Sequence, residues 1–273
     1  METAVAANRI TDNLICVPLG AGAQADPDLI LDERRFTFFR GGTDGTAYYI
    51  GARPADLPQR DIEAINSHCD TGEGSRNRLV KRDIAEALKA HFNERAFHVF
   101  DMGSGKKPIF RFFPENADIT FHAIDRDPAC VQELHKMNIP ASTWEAELNA
   151  PQDRPSVAVS VYALHFMVND TLAENIKKLA GGPDGFFVGN FYVDPEEKKT
   201  GAEREKLGDI LRRHNMSHVV MKDPGCGSSE YWVISPTGDI GAAANFAETM
   251  KDSLRKRRGK DFEMKTTLAP PPG

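Results

Sequence analysis

No apolar run in the chain approaches the roughly 20 residues of a membrane span, which excludes an integral helical membrane protein. Cysteine is scarce: Cys16, Cys69, Cys130 and Cys226 are scattered, without a Cys-x-x-Cys pair. A disulfide framework and a cysteine-rich zinc site are both excluded by that spacing. Positive charge is short as well. With 34 basic against 40 acidic residues the net charge is −6, which argues against blanket nucleic-acid binding but leaves room for a local basic pocket. There is no Gly-x-x-x-x-Gly-Lys-Ser/Thr, so a P-loop is out, and there is no internal repeat. The opening Met1-Glu-Thr-Ala lacks a basic-then-apolar block, so no secretory signal is expected. A reducing, cytoplasmic setting is the expectation. The 273 residues suffice for one well-buried domain with modest additions.

Three composition zones divide the chain. Residues 1–70 are rich in Gly, Asp and Pro and hold short β-like runs. Arg35–Arg40 and Thr46–Ile50, bridged by Gly41-Gly-Thr-Asp-Gly45, read as a hairpin. This zone is a β-containing extension and a candidate contact for a protein partner. Residues 71–240 alternate strand-like and helix-like segments. Residues 241–273 read as a polar, basic, solvated helix followed by a disordered tail ending in Pro-Pro-Pro-Gly273. In the middle zone Val80, Ile84, Leu88 and Phe92 fall on one helix face. Strands are expected at Phe97–Met102, Ile119–Asp125, Ser156–Val161, Gly185–Gly189, Ser217–Met221 and Tyr231–Ile234. Helices are expected from Asp127-Pro128 to Met137, over Asp170–Leu179 and over Glu196–His214. This alternation predicts a mostly parallel sheet with helices on both faces. The short link between the last two strands suits an antiparallel hairpin.

The first strand of that zone runs directly into Gly103-Ser104-Gly105, and Asp125 ends the second strand 20 residues beyond Gly105. A glycine turn lets a ligand approach the backbone, and an acid at that distance can accept hydrogen bonds from a ribose diol. The third glycine of a dinucleotide site is missing. Asp101, just ahead of the glycines, suits a ligand with a positive end better than a pyrophosphate. S-Adenosyl-L-methionine, with a sulfonium, an amino group and a ribose diol, has that distribution of charge.

At these residues the chain resembles the class I S-adenosylmethionine-dependent methyltransferases. Val99-Phe-Asp-Met-Gly-Ser-Gly105 looks like their first motif and Ile124-Asp125 like their second. A narrower resemblance, over residues 74–195, is to messenger-RNA cap guanine-N7 methyltransferases, of which this chain would be a distant, viral-type relative. It rests on Asn77-Arg-Leu-Val-Lys81, on Lys106 after the glycines, on Val161-Tyr-Ala-Leu-His-Phe166, and on Gly181-Gly-Pro-Asp-Gly-Phe-Phe-Val-Gly-Asn190. The departures are Ser104 for a cysteine, Lys107-Pro108 for further glycines, Val161 for a glutamine, and a short stretch after Asn190. The resemblance implies a Rossmann-like fold with a seven-stranded, mostly parallel sheet closed by an antiparallel hairpin.

It also implies roles. Lys81 would meet the donor's carboxylate and Asp101 its amino group. Gly103, Ser104 and Gly105 would form the turn beneath it, and Asp125 would take the ribose. Glu145 or Glu147, with Glu147 preferred, would touch the adenine edge. Tyr162 would also touch the donor; on the acceptor side His165 would bond the guanine edge, Tyr162 and Phe166 would stack on the base, and Glu230 would accept from guanine's N–H donors. Lys106 and Lys107, with Arg111, would line the path of a cap triphosphate. Guanine N7 is already a nucleophile, so the reaction needs orientation, worth about 7–11 kcal/mol in favourable cases, rather than a general base. No metal is expected. The partner implied is a capped RNA 5′ end. Two other readings stay open: a small-molecule methyltransferase, and a degenerate domain that binds a partner without catalysis.

Overall fold

The structure is a computed structural model that describes residues 7–19, 24–41, 45–68, 75–93, 95–113, 118–192, 201–223, 229–259 and 261–270. The chain divides into two compact units, Met1–Gly74 and Ser75–Gly273.

The first unit is an antiparallel sheet of β1 (Asn8–Thr11), β2 (Leu14–Pro18), β3 (Asp28–Leu31), β4 (Arg34–Gly41) and β5 (Thr46–Ile50), with α1 (Gln59–His68) after it. Its strand order is β1-β2-β5-β4-β3. The expected hairpin is present as β4 and β5, paired from Thr37↔Ile50 to Gly41↔Ala47 with a register shift between Phe38 and Arg40. Residues 42–44 of its turn lie outside the described residues. Alternation places Ile15, Val17, Phe36, Ala47 and Tyr49 in one apolar cluster.

The second unit opens with α2 (Ser75–Phe92) and continues β6 (Phe97–Met102), β7 (Ile119–Ile124), α3 (Pro128–Lys136), β8 (Ala141–Ser142), β9 (Ser156–Ser160), α4 (Asp170–Ala180), β10 (Phe186–Tyr192), α5 (Gly201–Arg213), β11 (His218–Asp223), β12 (Ser229–Ile234), α6 (Gly241–Arg258) and β13 (Glu263–Thr267). The helix starts follow local chemistry. The Asp127 side chain accepts from the Ala129 N–H ahead of Pro128, and the Asn169 side chain accepts from the Leu172 N–H. Helix α5 begins at Gly201; the stretch from Glu196 to residue 200 that was expected to open it lies outside the described residues.

The sheet order is β13-β11-β12-β10-β9-β6-β7-β8. Strands β8, β7, β6, β9 and β10 are parallel, whereas β12 is antiparallel to both β10 and β11. This is the doubly wound, Rossmann-like α/β arrangement, with the β11–β12 hairpin expected from the short link. The expected count of seven strands is corrected to eight in a mixed sheet. The extra member is β13, antiparallel to β11 from His218↔Thr267 to Lys222↔Glu263.

The carboxyl-terminal zone therefore differs from its expectation of a solvated helix and a disordered tail. Ala243, Phe246, Ala247, Met250 and Leu254 of α6 are all buried against α2 and the sheet, and Arg257 bonds Asp83 of α2 at 2.7 Å. Phe262 then enters the same core and leads the chain onto the β11 edge. One face of the sheet carries α2 and α6 over Val99, Val157, Val159, Val188, Tyr231 and Val233. The other carries α4 and α5 over Phe100, Ala158, Phe187, Phe191 and Trp232. No helix among the described residues is long and apolar enough to cross a membrane.

Candidate functional site

Two chain crossings leave β6 and β9 in opposite directions, so their carboxyl ends flank the point where the strand order reverses. Ligands of doubly wound sheets bind in that crevice. Residues 103–108 follow β6 there, and residues 161–169 follow β9.

The turn after β6 is shaped by two positive φ angles, +71° at Gly103 and +60° at Gly105, a region that favours glycine. Gly103 is further required by packing, since a β-carbon there would lie 2.4 Å from that of Ala163. The N–H groups of Gly103 and Ser104 both donate to the Ile124 carbonyl, at 2.7 and 3.2 Å. The Gly105 N–H donates to Asp125 Oδ2 at 2.7 Å, and the Asp127 N–H donates to Asp125 Oδ1 at 2.9 Å. Asp125 thus ties the turn to the end of β7. Each of its oxygens keeps a second acceptor position.

Beneath the turn, Lys81 reaches from α2 and donates to the carbonyls of Ser104 (3.3 Å) and Lys107 (2.5 Å). Its ammonium has three donors, so one remains. Asp101 accepts from the Ile109 N–H at 2.6 Å through Oδ2, while its buried Oδ1 has no partner among the described residues. Burial raises the Asp101 carboxyl above its ordinary pKa, against the pull of the Lys81 charge. Burial likewise raises Asp125, opposed by the two N–H groups it accepts from. Lys81 is lowered by burial, against Asp101 and Asp125. Three ionisable groups, each 3–7 % exposed, therefore surround a turn held open by glycine.

On the far side of Gly103, Tyr162 has φ +53°, a left-handed backbone at a bulky residue. Its N–H donates to Asn190 Oδ1 at 2.9 Å, and its hydroxyl lies 2.7 Å from Ser229 Oγ. His165 and Phe166 follow in a single 3-10 turn, Leu164–Phe166, with ring centroids 4.2 Å apart. Ile124, whose carbonyl holds the glycine turn, also lines a cleft of about 270 Å³ bounded by Thr143–Leu148 and by Asn175, Lys178 and Leu179 of α4. Glu145 and Glu147 both line it. Thr143 donates to the Glu145 carboxylate and holds it below its ordinary range.

The structure thus brings Lys81, Asp101, Gly103, Ser104, Gly105 and Asp125 into one bonded cluster. It sets Tyr162 against that cluster through Ala163, with His165 and Phe166 just beyond. Lys106 is exposed on the same turn, and Lys107 contributes its carbonyl to Lys81.

Glu230 is the exception. Its neighbours Ser229 and Tyr231 point to the α2/α6 face, where Tyr162 sits, so Glu230 points to the α4/α5 face with Trp232. There its two oxygens accept from Trp232 Nε1 at 2.8 Å and Arg204 Nη1 at 3.1 Å. The expectation that it grips a base beside Tyr162 is corrected by strand parity: the position one residue away faces the site. Sequence reading missed Asn190 and Ser229, which hold Tyr162. Asn190 was in view only as the end of the Phe-Phe-Val-Gly-Asn run.

No protein-family model matches the sequence, and no curated protein sequence matches it. Among solved structures the chain is similar to a probable spermidine synthase from Corynebacterium glutamicum, with 14% identity, 89% of this chain and 91% of that one covered, and TM-score 0.45. It is similar to a SAM-dependent methyltransferase from Aquifex aeolicus at 13% identity, covering 66% and 98%, with TM-score 0.42. A TehB-like SAM-dependent methyltransferase from Corynebacterium glutamicum matches at 14% identity, over 65% and 94%, with TM-score 0.40.

Proposed function

We propose that the second unit binds S-adenosyl-L-methionine across Gly103–Gly105 and transfers its methyl group to a neutral nucleophile, with guanine N7 of an RNA cap as the preferred acceptor. The observation that carries the donor reading is the Asp101 carboxylate, buried under the glycine turn with one oxygen lacking a partner. A buried unmatched carboxylate oxygen is costly, and an ammonium group is the complement it asks for. Asp125 has acceptor positions left for a ribose diol, and the third Lys81 donor is available for a carboxylate. The bound donor would supply an electrophilic methyl carbon.

On the acceptor side the chain's own residues orient rather than deprotonate. Between β9 and α4 the sequence Val161-Tyr-Ala-Leu-His-Phe-Met-Val-Asn169 contains no acid, so a hydroxyl acceptor would find no carboxylate base on this segment. An acceptor with its own lone pair needs none. Tyr162, His165 and Phe166 offer ring faces and an imidazole for a purine. The preference for a cap also draws on the resemblance in Ala163-Leu-His165. Glu230 has no part in it.

The test has two stages. Calorimetric titration with S-adenosyl-L-methionine should give a heat of binding that D125A reduces about tenfold or more in affinity. Incubation with labelled donor and RNA ending in either a triphosphate or GpppA should then place label on the capped RNA alone. Label on both would remove the cap preference, and no heat of binding would remove the donor reading.

A further inference from the structure

Asn190 is fully buried at the carboxyl end of β10, and its amide orientation is settled by its neighbour. The Tyr162 N–H must be met by an oxygen, so Oδ1 faces Tyr162 and Nδ2 faces the other way. Among the described residues Nδ2 has no hydrogen-bond partner, and a buried donor left unmade is costly. The amide shares its sheet face with Ser229 and Tyr231. Tyr162 spans the gap from Asn190 to Ser229. An oriented donor therefore lies beneath the aromatic residue that follows β9, beside the segment that packs on Gly103.

We propose that Asn190 Nδ2 donates to a lone-pair atom of the methyl acceptor, namely the oxygen adjacent to the methylated ring nitrogen, which in guanine is O6 beside N7. The inference rests on the methyl-transfer reading above and adds a specificity to it. Guanine presents N7 and O6 as two acceptors on one edge, whereas adenine sets an N6 amino donor beside its N7. Asn190 would meet adenine donor to donor, leaving two buried N–H groups unmade. For a purine to reach this fully buried amide, the Tyr162 side chain, whose hydroxyl lies 2.7 Å from Ser229 Oγ, would have to swing away.

The test uses the full chain, labelled S-adenosyl-L-methionine, and RNA capped with either guanosine or 2-aminopurine riboside, which keeps N7 and the 2-amino group but lacks O6. The unaltered protein should show kcat/KM about 10- to 100-fold lower on the 2-aminopurine cap. N190D keeps an oxygen for the Tyr162 N–H and removes the amide donor. It should lose about the same factor on the guanosine cap while its ratio between the two caps falls to within about threefold, with donor Kd changed less than about twofold. If the unaltered protein methylates both caps within about twofold, or N190D keeps the full ratio, the inference is overturned and methyl transfer stands; a resident water on Nδ2 would give that result. If the donor binds and neither cap is methylated, the acceptor reading and this inference fall together. Should N190D fail to fold, the comparison of the two caps on the unaltered protein decides alone.

Discussion

The glycine turn is where a single atom matters most. A methyl group at residue 103 meets the Ala163 β-carbon at 2.4 Å, and the backbone there has φ +71°. Left-handed backbone costs a non-glycine residue about 1–2 kcal/mol, and overpacking adds about 1–3 kcal/mol. Gly103→Ala should therefore destabilise the second unit by about 2–5 kcal/mol, read as a lower urea midpoint at unchanged m-value. A change under about 0.5 kcal/mol would mean that Ala163 yields freely and that the turn is not fixed by this contact. A second prediction concerns Asp101. Its carboxyl is raised by burial, and only its ionised form complements an ammonium. Affinity for S-adenosyl-L-methionine should accordingly rise as pH rises above the ordinary carboxylate range through the raised Asp101 value, and calorimetry on D101N should show weak binding with that slope removed. A pH-independent affinity in the unaltered protein would take the amino group away from Asp101.

Among the elements, what could be read from sequence and what could not divide along physical lines. Strands β6, β9 and β10 announce themselves because they are buried on both faces over most of their length and are rich in Val and Phe, and β7, half-buried, by its apolar Ile119, Phe121, Ala123 and Ile124. The juxtaposition of Gly103, Gly105 and Asp125 was legible because a glycine turn after a strand and an acid ending the next one are local features. The sheet face of Glu230 was not legible because strand parity turns on one residue, and the link before it, residues 224–228, has no apolar pattern in the sequence to fix the register. Helix α6 was misjudged for a different reason. Its Lys251, Arg255, Lys256, Arg257 and Arg258 dominate the composition, but Ala243, Phe246, Ala247, Met250 and Leu254 form a stripe at helical spacing that the charges mask. Strand β13 escaped because four of its five residues are exposed and only its pairing with β11 defines it. That pairing, with burial of Phe262, makes the segment stabilising. Deleting residues 261–273 should lower Tm by about 5–10 °C, from loss of one buried aromatic and one edge of backbone bonds. It should also expose the β11 edge and promote association. An unchanged Tm on differential scanning calorimetry would show that β13 is dispensable.

At the scale of the whole molecule the buried ionisable groups set opposing responses to acid. His98, on β6, bonds Thr120 at 2.6 Å, and burial with the nearby His122 and Arg154 holds it down to about 4. His218, on β11, stacks on Trp232 with ring centroids 4.9 Å apart, and burial with Lys265 and Arg212 holds it down to about 4 as well. Both remain neutral in the folded chain where the unfolded chain, with ordinary histidines near 6.5, has taken up protons. Their contribution to stability is therefore complete above about pH 6.5 and is lost as pH falls through the window to about 4. Asp101 and Asp125 act in the other sense. Their raised values mean that the folded chain holds protons the unfolded chain has released, so their contribution is greatest in acid and is lost as pH rises through their folded values. The urea midpoint between pH 6.5 and 4 is thus a contest between two imidazoles on β6 and β11 and two carboxyls at the glycine turn. The contest can be separated by substitution. H98Q/H218Q removes the acid-labile contribution, so its midpoint should fall less than that of the unaltered protein over this window. D101N removes part of the opposing contribution and should fall more. Parallel curves for all three proteins would show that neither the two imidazoles nor the two carboxyls govern the response. Divergence in the stated directions would tie the buried acids Asp101 and Asp125 to a stability cost as pH rises, one that a cationic ligand group bound as proposed above would offset.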